Sequence, residues 1–189
     1  MSRIFTNFVD YRLLLILFSS NFFSCAYFNT FYNAETSYKK ALKIIEESPV
    51  LEEERVPEQA KKLLKEAIDN SKMVLQKFPD SKYVDDAIFM IAKSSFLRDE
   101  VLMAESYFIQ LIREFPESNF YSLSEIWLAY THLRMDMVDI ARDEMEVITH
   151  RKNNNEDELY LINNILAEIA IIDGKTSEVM KFYEKAARH

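Results

Sequence analysis

The sequence predicts an all-α fold built from stacked helix-turn-helix units, and three observations support it. Glycine occurs once among 189 residues and proline four times. Sheet-rich and nucleotide-binding α/β folds turn tightly and often, and glycine is the residue such turns demand, so a chain this poor in glycine joins helices through short polar loops. Leu, Ile, Ala, Glu and Lys, mostly favourable in helices, dominate the chain. The sequence also matches itself at a fixed offset. Phe78-Pro79-Asp80-Ser81 recurs 37 residues later as Phe115-Pro116-Glu117-Ser118, and the same offset pairs Ala92 with Ala129, Phe96 with Leu133, Ala104 with Ala141 and Phe108 with Met145. A helical period in the thirties marks units that bury their apolar faces against neighbouring units.

Local signals place each element. Helices are expected near residues 28–47, 58–77, 82–97, 100–114, 119–134, 137–150, 156–172 and 176–187. Residues 48–57, acidic and flanked by Pro49 and Pro57, form a longer loop inside the first unit, read either as a solvated insertion or as a partner-binding loop. Ala92 and Ala104 lie where the two helices of one unit cross, and a larger side chain there would push them apart. Pro116 closes the fourth helix, since it lacks an amide hydrogen and crowds the preceding turn. Ser122 and Glu125 have capping-box spacing near the start of the fifth. Asn155, followed by three acids, suits the start of the seventh, where a side-chain oxygen and negative charge are both favourable. Gly174 falls at the last inter-helix turn, where a left-handed backbone is often needed.

The first 24 residues read as an address. Arg3 and Arg12 precede the apolar run Leu13-Leu14-Leu15-Ile16-Leu17-Phe18, and Ser24 stands before Cys25, the only cysteine. A positive start, a short apolar stretch and a small residue before a cut is the layout of a secretory signal peptide. The run falls short of the roughly 20 residues that a bilayer-spanning helix needs. Phe22-Phe23-Ser24-Cys25 resembles the bacterial lipobox, with Phe22 in place of the usual Leu. That resemblance implies cleavage after Ser24, a covalent lipid on Cys25 and, because Ala26 rather than Asp follows, export to the outer membrane on the periplasmic face. Two or three acyl chains anchor durably where one does not. The other reading of Cys25 is a buried thiol in an ordinary first helix. The expected division is a lipoprotein signal peptide over 1–24 and a helical-repeat domain over 25–189.

Ala92, Asp99, Ala104, Phe108, Leu111 and Pro116 fall where tetratricopeptide repeats keep a small residue, a turn residue, a small residue, an aromatic, an apolar residue and a proline. The next unit matches with Ala129, Asp136, Ala141, Met145 and Ile148, with Asn153 where proline would stand. A third matches at Ala167, Gly174, Tyr183 and Ala186 after one extra residue. The chain thus resembles tetratricopeptide proteins, which implies a right-handed superhelix, an α-solenoid of about four repeats. With the opening Cys25-Ala26-Tyr27-Phe28-Asn29-Thr30-Phe31-Tyr32-Asn33-Ala34 and the Phe-Pro-[Asp/Glu]-Ser joints, residues 22–150 are similar to the BamD-like outer-membrane lipoproteins, which usually carry about five repeats. The resemblance implies a periplasm-facing adaptor that binds the β-barrel assembly machinery or other envelope proteins through extended peptides and helps insert barrel proteins. The alternative is a structural scaffold associated with the cell envelope or peptidoglycan, unconnected with barrel assembly.

In such a stack the first helix of each unit lines the concave side. The concave positions would be Asp86, Phe89, Lys93 and Phe96, then Leu123, Ile126, Tyr130 and Arg134, then Leu161, Asn164, Glu168 and Ile171. Phe89, Lys93, Tyr130, Arg134, Asn164 and Glu168 are the candidate protein-binding residues. In the competing reading the apolar members pack between helices, and only Lys93, Tyr130, Arg134, Asn164 and Glu168 reach solvent. Tyr27, Phe28, Phe31 and Tyr32 share one helical face, either capping the core of the first unit or resting in the bilayer interface beside the acyl chains.

The net charge of −8 disfavours nucleic acid and broad adsorption to anionic lipid, leaving the lipid anchor as the route to a membrane. One glycine rules out a glycine-rich phosphate loop. His132, His150 and His189 lack metal-ligand spacing, and no nucleophile-elbow pattern is present. The expectation is a binding protein rather than an enzyme, with no metal, no small-molecule substrate and no cofactor besides the lipid on Cys25.

Overall fold

The computed structural model describes residues 11–48, 56–151 and 154–188, with side chains from residue 29 onward. Eight helices follow one another: α1 (Tyr11–Glu47), α2 (Glu58–Lys77), α3 (Val84–Leu97), α4 (Val101–Glu114), α5 (Tyr121–Arg134), α6 (Val138–Thr149), α7 (Glu156–Ile172) and α8 (Thr176–Ala186). The described residues contain no strand, and no helix among them is long and apolar enough to cross a membrane. Every boundary after the first lies within two residues of its expected place. The exception is α1, which begins at Tyr11 instead of residue 28 and runs through position 25. No glycine or proline interrupts the chain before Pro49, so nothing local stops a helix until that proline restricts the residue ahead of it.

The joints between units repeat in atomic detail. Pro79 and Pro116 push the preceding Phe78 and Phe115 out of helical geometry, to φ −138° and −130°. After each, a serine amide binds the phenylalanine carbonyl (Ser81 to Phe78 at 3.1 Å, Ser118 to Phe115 at 3.0 Å). The serine hydroxyl then accepts the amide two residues on, from Tyr83 at 3.0 Å and Phe120 at 3.1 Å. The Ser122–Glu125 capping box does not form. The α5 start is Phe120 with no side-chain cap, because Ser118 serves that turn and Glu125 is held by both guanidinium nitrogens of Arg151. The third joint has no proline and is closed by Asn155, as its acidic followers suggested. Glu158 donates its amide to Asn155 Oδ1 and accepts the Asn155 amide, each at 2.9 Å, a complete capping box.

Turns within units also repeat. Asp99, Asp136 and Gly174 have φ of 64°, 63° and 71°. In each case the next amide (Glu100, Met137, Lys175) reaches back five residues, to Ser95, His132 or Ala170, at 2.9 Å. This is the Schellman closure, which needs a left-handed residue just past the helix end. Gly174 meets that need without a Cβ, and aspartate is among the side chains that tolerate it.

The small residues lie at crossings. Ala92, Ala104, Ala129, Ala141 and Ala167 are fully buried. Consecutive helices pack together throughout, and each odd-numbered helix also touches the next odd one, α1 with α3, α3 with α5 and α5 with α7. Among the described residues the backbones of the even-numbered helices approach only their chain neighbours, and α2 reaches α4 through a side chain, the Lys72 ammonium donating to the Met103 sulfur at 3.6 Å. One core joins α3 and α4 to α5 around Phe89, Phe96, Phe108 and Leu111, and a second joins α5 and α6 to α7 around Ile126, Met145, Ile162, Ile165 and Ile169. Polar links cross between units: Ser118 donates to Asp85 at 2.7 Å and Arg142 to Asp173 at 2.7 Å. His132 of α5 lies between Glu144 of α6 at 2.8 Å and Glu105 of α4 at 3.3 Å. The bond to Glu144 raises the imidazole above the usual histidine range.

Candidate functional site: an aromatic groove on the odd helices

The row of odd helices carries an open cavity of about 610 Å³. Phe96 comes from the end of α3, Trp127, Tyr130 and Arg134 from α5, and Glu168 from α7. Val56 and Lys61 close one side from the start of α2, and Leu97, Arg98 and Asp99 add the α3–α4 turn. Helical spacing of three and four residues places Trp127, Tyr130 and Arg134 on one stripe of α5. Three rings meet there. Phe96 lies 5.0 Å from Trp127 in an edge-to-face arrangement and 4.9 Å from Tyr130, and Trp127 lies 5.7 Å from Tyr130. Phe96 is buried beneath the other two, which remain partly open.

Charged groups ring these aromatics. Tyr130 donates its hydroxyl to Glu168 at 2.6 Å, which ties α5 to α7. Arg134 pairs with Asp99 at 3.0 Å across the α3–α5 boundary, and its guanidinium lies 5.8 Å from the centre of the Phe96 ring. Arg98 binds Glu100 at 2.8 Å and donates to the Lys61 carbonyl at 2.6 Å. Lys93, one turn before Phe96, rests its ammonium over Trp127 and 5.8 Å from the Phe96 centroid. It is half-buried, and burial pushes its amine well below the usual lysine range. Among the described residues no carboxylate accepts from it.

Of the six groove candidates, Tyr130, Arg134 and Glu168 line the cavity, and Lys93 stands beside its tryptophan wall. Asn164 is half-buried on α7, one turn before Glu168, and outside the cavity wall. Phe89 is not a groove residue. It is 7% exposed, stacked on Phe120 at 4.5 Å and edge-on to Phe108 at 6.1 Å. An aromatic ring that can be covered by the next unit contributes more inside the core than in water. Ile126 is fully buried for the same reason, whereas Asp86 stays half-buried at the start of α3, its carboxyl raised by burial and by Asp85.

The proposed aromatic face of α1 divides. Phe31 is buried and stacked on Tyr83 at 4.4 Å, so it does cap the first core, while Tyr32 is 52% exposed. Neighbouring helical residues point about 100° apart, and one core cannot take both. The side chains of Cys25, Tyr27 and Phe28, and most of the 48–57 loop, lie outside the described residues.

Sequence reading missed Trp127, Lys61 and Arg98. Trp127 gave a usable signal: it is the chain's only tryptophan and lies three residues before Tyr130. Lys61 and Arg98 gave none, since only tertiary packing brings α2 to the α3–α4 turn. Among the described residues no cluster of histidine, cysteine, aspartate or glutamate is placed to hold a metal ion. No family model matches the chain, and no curated protein matches it in sequence.

Proposed function

We propose that this protein is a lipid-anchored, periplasm-facing scaffold of the outer membrane that binds other proteins through the groove on its odd helices, as a BamD-like component of β-barrel assembly. The observation that supports it most is the groove itself. It is an aromatic cleft with charged edges on the row of alternate helices whose backbones approach each other, and its volume lies in the range of ligand sites. Close backbone approach along the odd row and not the even row favours a stack that curves toward the odd side. That curvature, the three left-handed turns 37 and 38 residues apart and the buried crossing alanines support a tetratricopeptide-type superhelix. Extended peptide suits such a cleft, since aromatic anchors and flanking charges are how interfaces concentrate affinity. The anchor rests on Cys25 and its leader.

Site-specific photo-crosslinking in cells tests the groove. A benzophenone amino acid in place of Tyr130 is expected to capture envelope proteins, including a barrel insertase, whereas the same group at Leu102, an exposed position on α4, captures none. Equal capture at both positions refutes groove binding. Cys25→Ser is expected to move the protein from the membrane fraction to the soluble periplasm, and unchanged fractionation refutes the anchor.

A further inference from the structure

We propose that a second trough, between α6 and α8, docks an acidic amphipathic helix of a partner protein, with Lys185 and Arg188 receiving its carboxylates. The site is separate from the aromatic groove. Its cavity measures about 710 Å³. Leu159, Ile162 and Leu166, three and four residues apart, form a floor on α7, with Phe182 of α8 on one side and Thr149 at the end of α6 on the other. Glu168, which lines the aromatic groove, stands on the opposite face of α7.

One unit earlier the same trough lies between α4 and α6, and it is nearly closed. Its cavity is about 220 Å³, lined by Glu125 and Leu128 of α5 and by Glu144 and Val147 of α6. The offset of 38 that relates Asp136 to Gly174 carries these four onto Asn163, Leu166, Phe182 and Lys185, all of which line the larger cavity. In the inner trough Arg151 seals Glu125 with both guanidinium nitrogens, and His132 takes Glu144 at 2.8 Å. The outer trough has neither acid. Asn163 donates its amide to the Leu159 carbonyl of its own helix at 2.7 Å, and a phenyl ring stands where Glu144 would.

The local charge is reversed as well. Arg151, Lys185 and Arg188 line the outer cavity and no carboxylate does, in a chain of net charge −8. Arg151 is committed to Glu125, and the nearby Glu158 to the Asn155 cap. Lys185 and Arg188 are exposed, and among the described residues no carboxylate pairs with them. A helix suits the shape, because α6 and α8 flank the α7 stripe without backbone approach between them, and an amphipathic helix covers such a stripe with its apolar face. Charge complementarity then selects acids along the edge of that helix.

The test uses full-length protein in phosphatidylcholine nanodiscs, with empty discs as the blank. Fluorescein-labelled Glu-Leu-Leu-Glu-Glu-Leu-Leu-Glu-Ala-Leu-Glu-Glu-Leu-Leu-amide and its twin bearing Gln for each Glu are titrated by fluorescence polarisation. The acidic peptide is expected to bind about five- to tenfold more tightly, the effect of two exposed ion pairs. Lys185→Gln combined with Arg188→Gln is expected to abolish that preference while still binding the Gln twin, which shows the variant folded. Phe182→Ala should weaken both peptides, and Tyr130→Ala in the aromatic groove should weaken neither. Equal affinity of the two peptides, absence of binding, or a preference lost with Tyr130→Ala overturns the proposal. Displacement of the acidic peptide by an equal concentration of soluble dihexanoylphosphatidylglycerol assigns the trough to lipid and overturns it too. Crosslinking at Tyr130 reads the aromatic groove separately, so either site can fail alone.

Discussion

The three left-handed turns allow a graded stability experiment. Gly174 has φ +71°, and a Cβ built there meets nothing within 4 Å, so Gly174→Ala adds backbone strain without a tertiary clash. Left-handed geometry costs an L-residue about 1–2 kcal/mol, and the loss of glycine's freedom in the unfolded chain returns part of it. The expected net loss is about 1 kcal/mol, or about 2–4 °C in Tm for a domain of this size. Asp136 is the reciprocal case. It is exposed at φ 63° with no side-chain partner among the described residues, so Asp136→Gly relieves strain and removes no contact. A gain of about 0.5 kcal/mol is expected, smaller because aspartate tolerates this geometry better than alanine. Asp99→Gly relieves the same strain at φ 64° but also releases Arg134, and should come out near neutral. Urea unfolding followed by far-UV circular dichroism and by Trp127 emission reads all three, with slopes unchanged and midpoints shifted. The order expected, from least to most stable, is Gly174→Ala, wild type with Asp99→Gly, then Asp136→Gly. Gly174→Ala at or above wild type, or Asp136→Gly below it, would refute the assignment of these positions as strained helix ends.

Two further substitutions address buried polar groups. The folded-state pKa of His132 is raised by Glu144, and then by Glu105, so its contribution to stability is full below the unfolded value of about 6.5 and fades as pH rises through the folded value. His132→Gln should therefore cost more at pH 5.5 than at pH 8.5 in urea midpoints, and a cost independent of pH would contradict the charged bridge. Ser124 is fully buried with a hydroxyl that has no partner, and it matches Ala87 one period earlier. Ser124→Ala should raise stability by about 1 kcal/mol, since a buried unsatisfied hydroxyl is a cost in itself; a fall in Tm would show that the hydroxyl is satisfied after all.

Helix boundaries were legible in the sequence because their causes are local. Proline at 79 and 116, the acids after Asn155 and the glycine at 174 each act on the backbone within a few residues, and the helices end or begin there. The start of α1 was not legible in this way. The first stretch, rich in Leu and Phe, is as favourable to a helix as the residues that follow it, and Ser24-Cys25, the pair read as a cleavage point, brings neither glycine nor proline to interrupt the backbone. The Ser122–Glu125 pattern failed for a related reason: capping spacing is necessary but not sufficient when an arginine 26 residues away competes for the same glutamate.

The groove was legible only in part, because one periodicity serves two purposes. Counting every third or fourth residue along α3 gives Phe89, Lys93 and Phe96 as one stripe, but whether a member of that stripe faces the next helix or the cavity depends on where the next helix crosses. Helix α5 enters through Phe120, Leu123 and Trp127, so it covers Phe89 at the start of α3, whereas near the end of α3 Trp127 and Tyr130 rise over Phe96 and leave space beside it. The repeat period of 37 fixes which residues correspond between units, and it identified the crossing alanines. It does not fix how closely successive units approach, and that approach is set by side-chain volume. Phe89 and Phe120 fill the gap at one end of the α3–α5 contact, while at the other end Phe96 is followed by the Arg98–Asp99 turn, where the even helix has not yet begun. A cleft opens there, and the charges that border it come from turn and helix-start residues, Lys61, Arg98 and Asp99, whose helical phase carries no information about the groove.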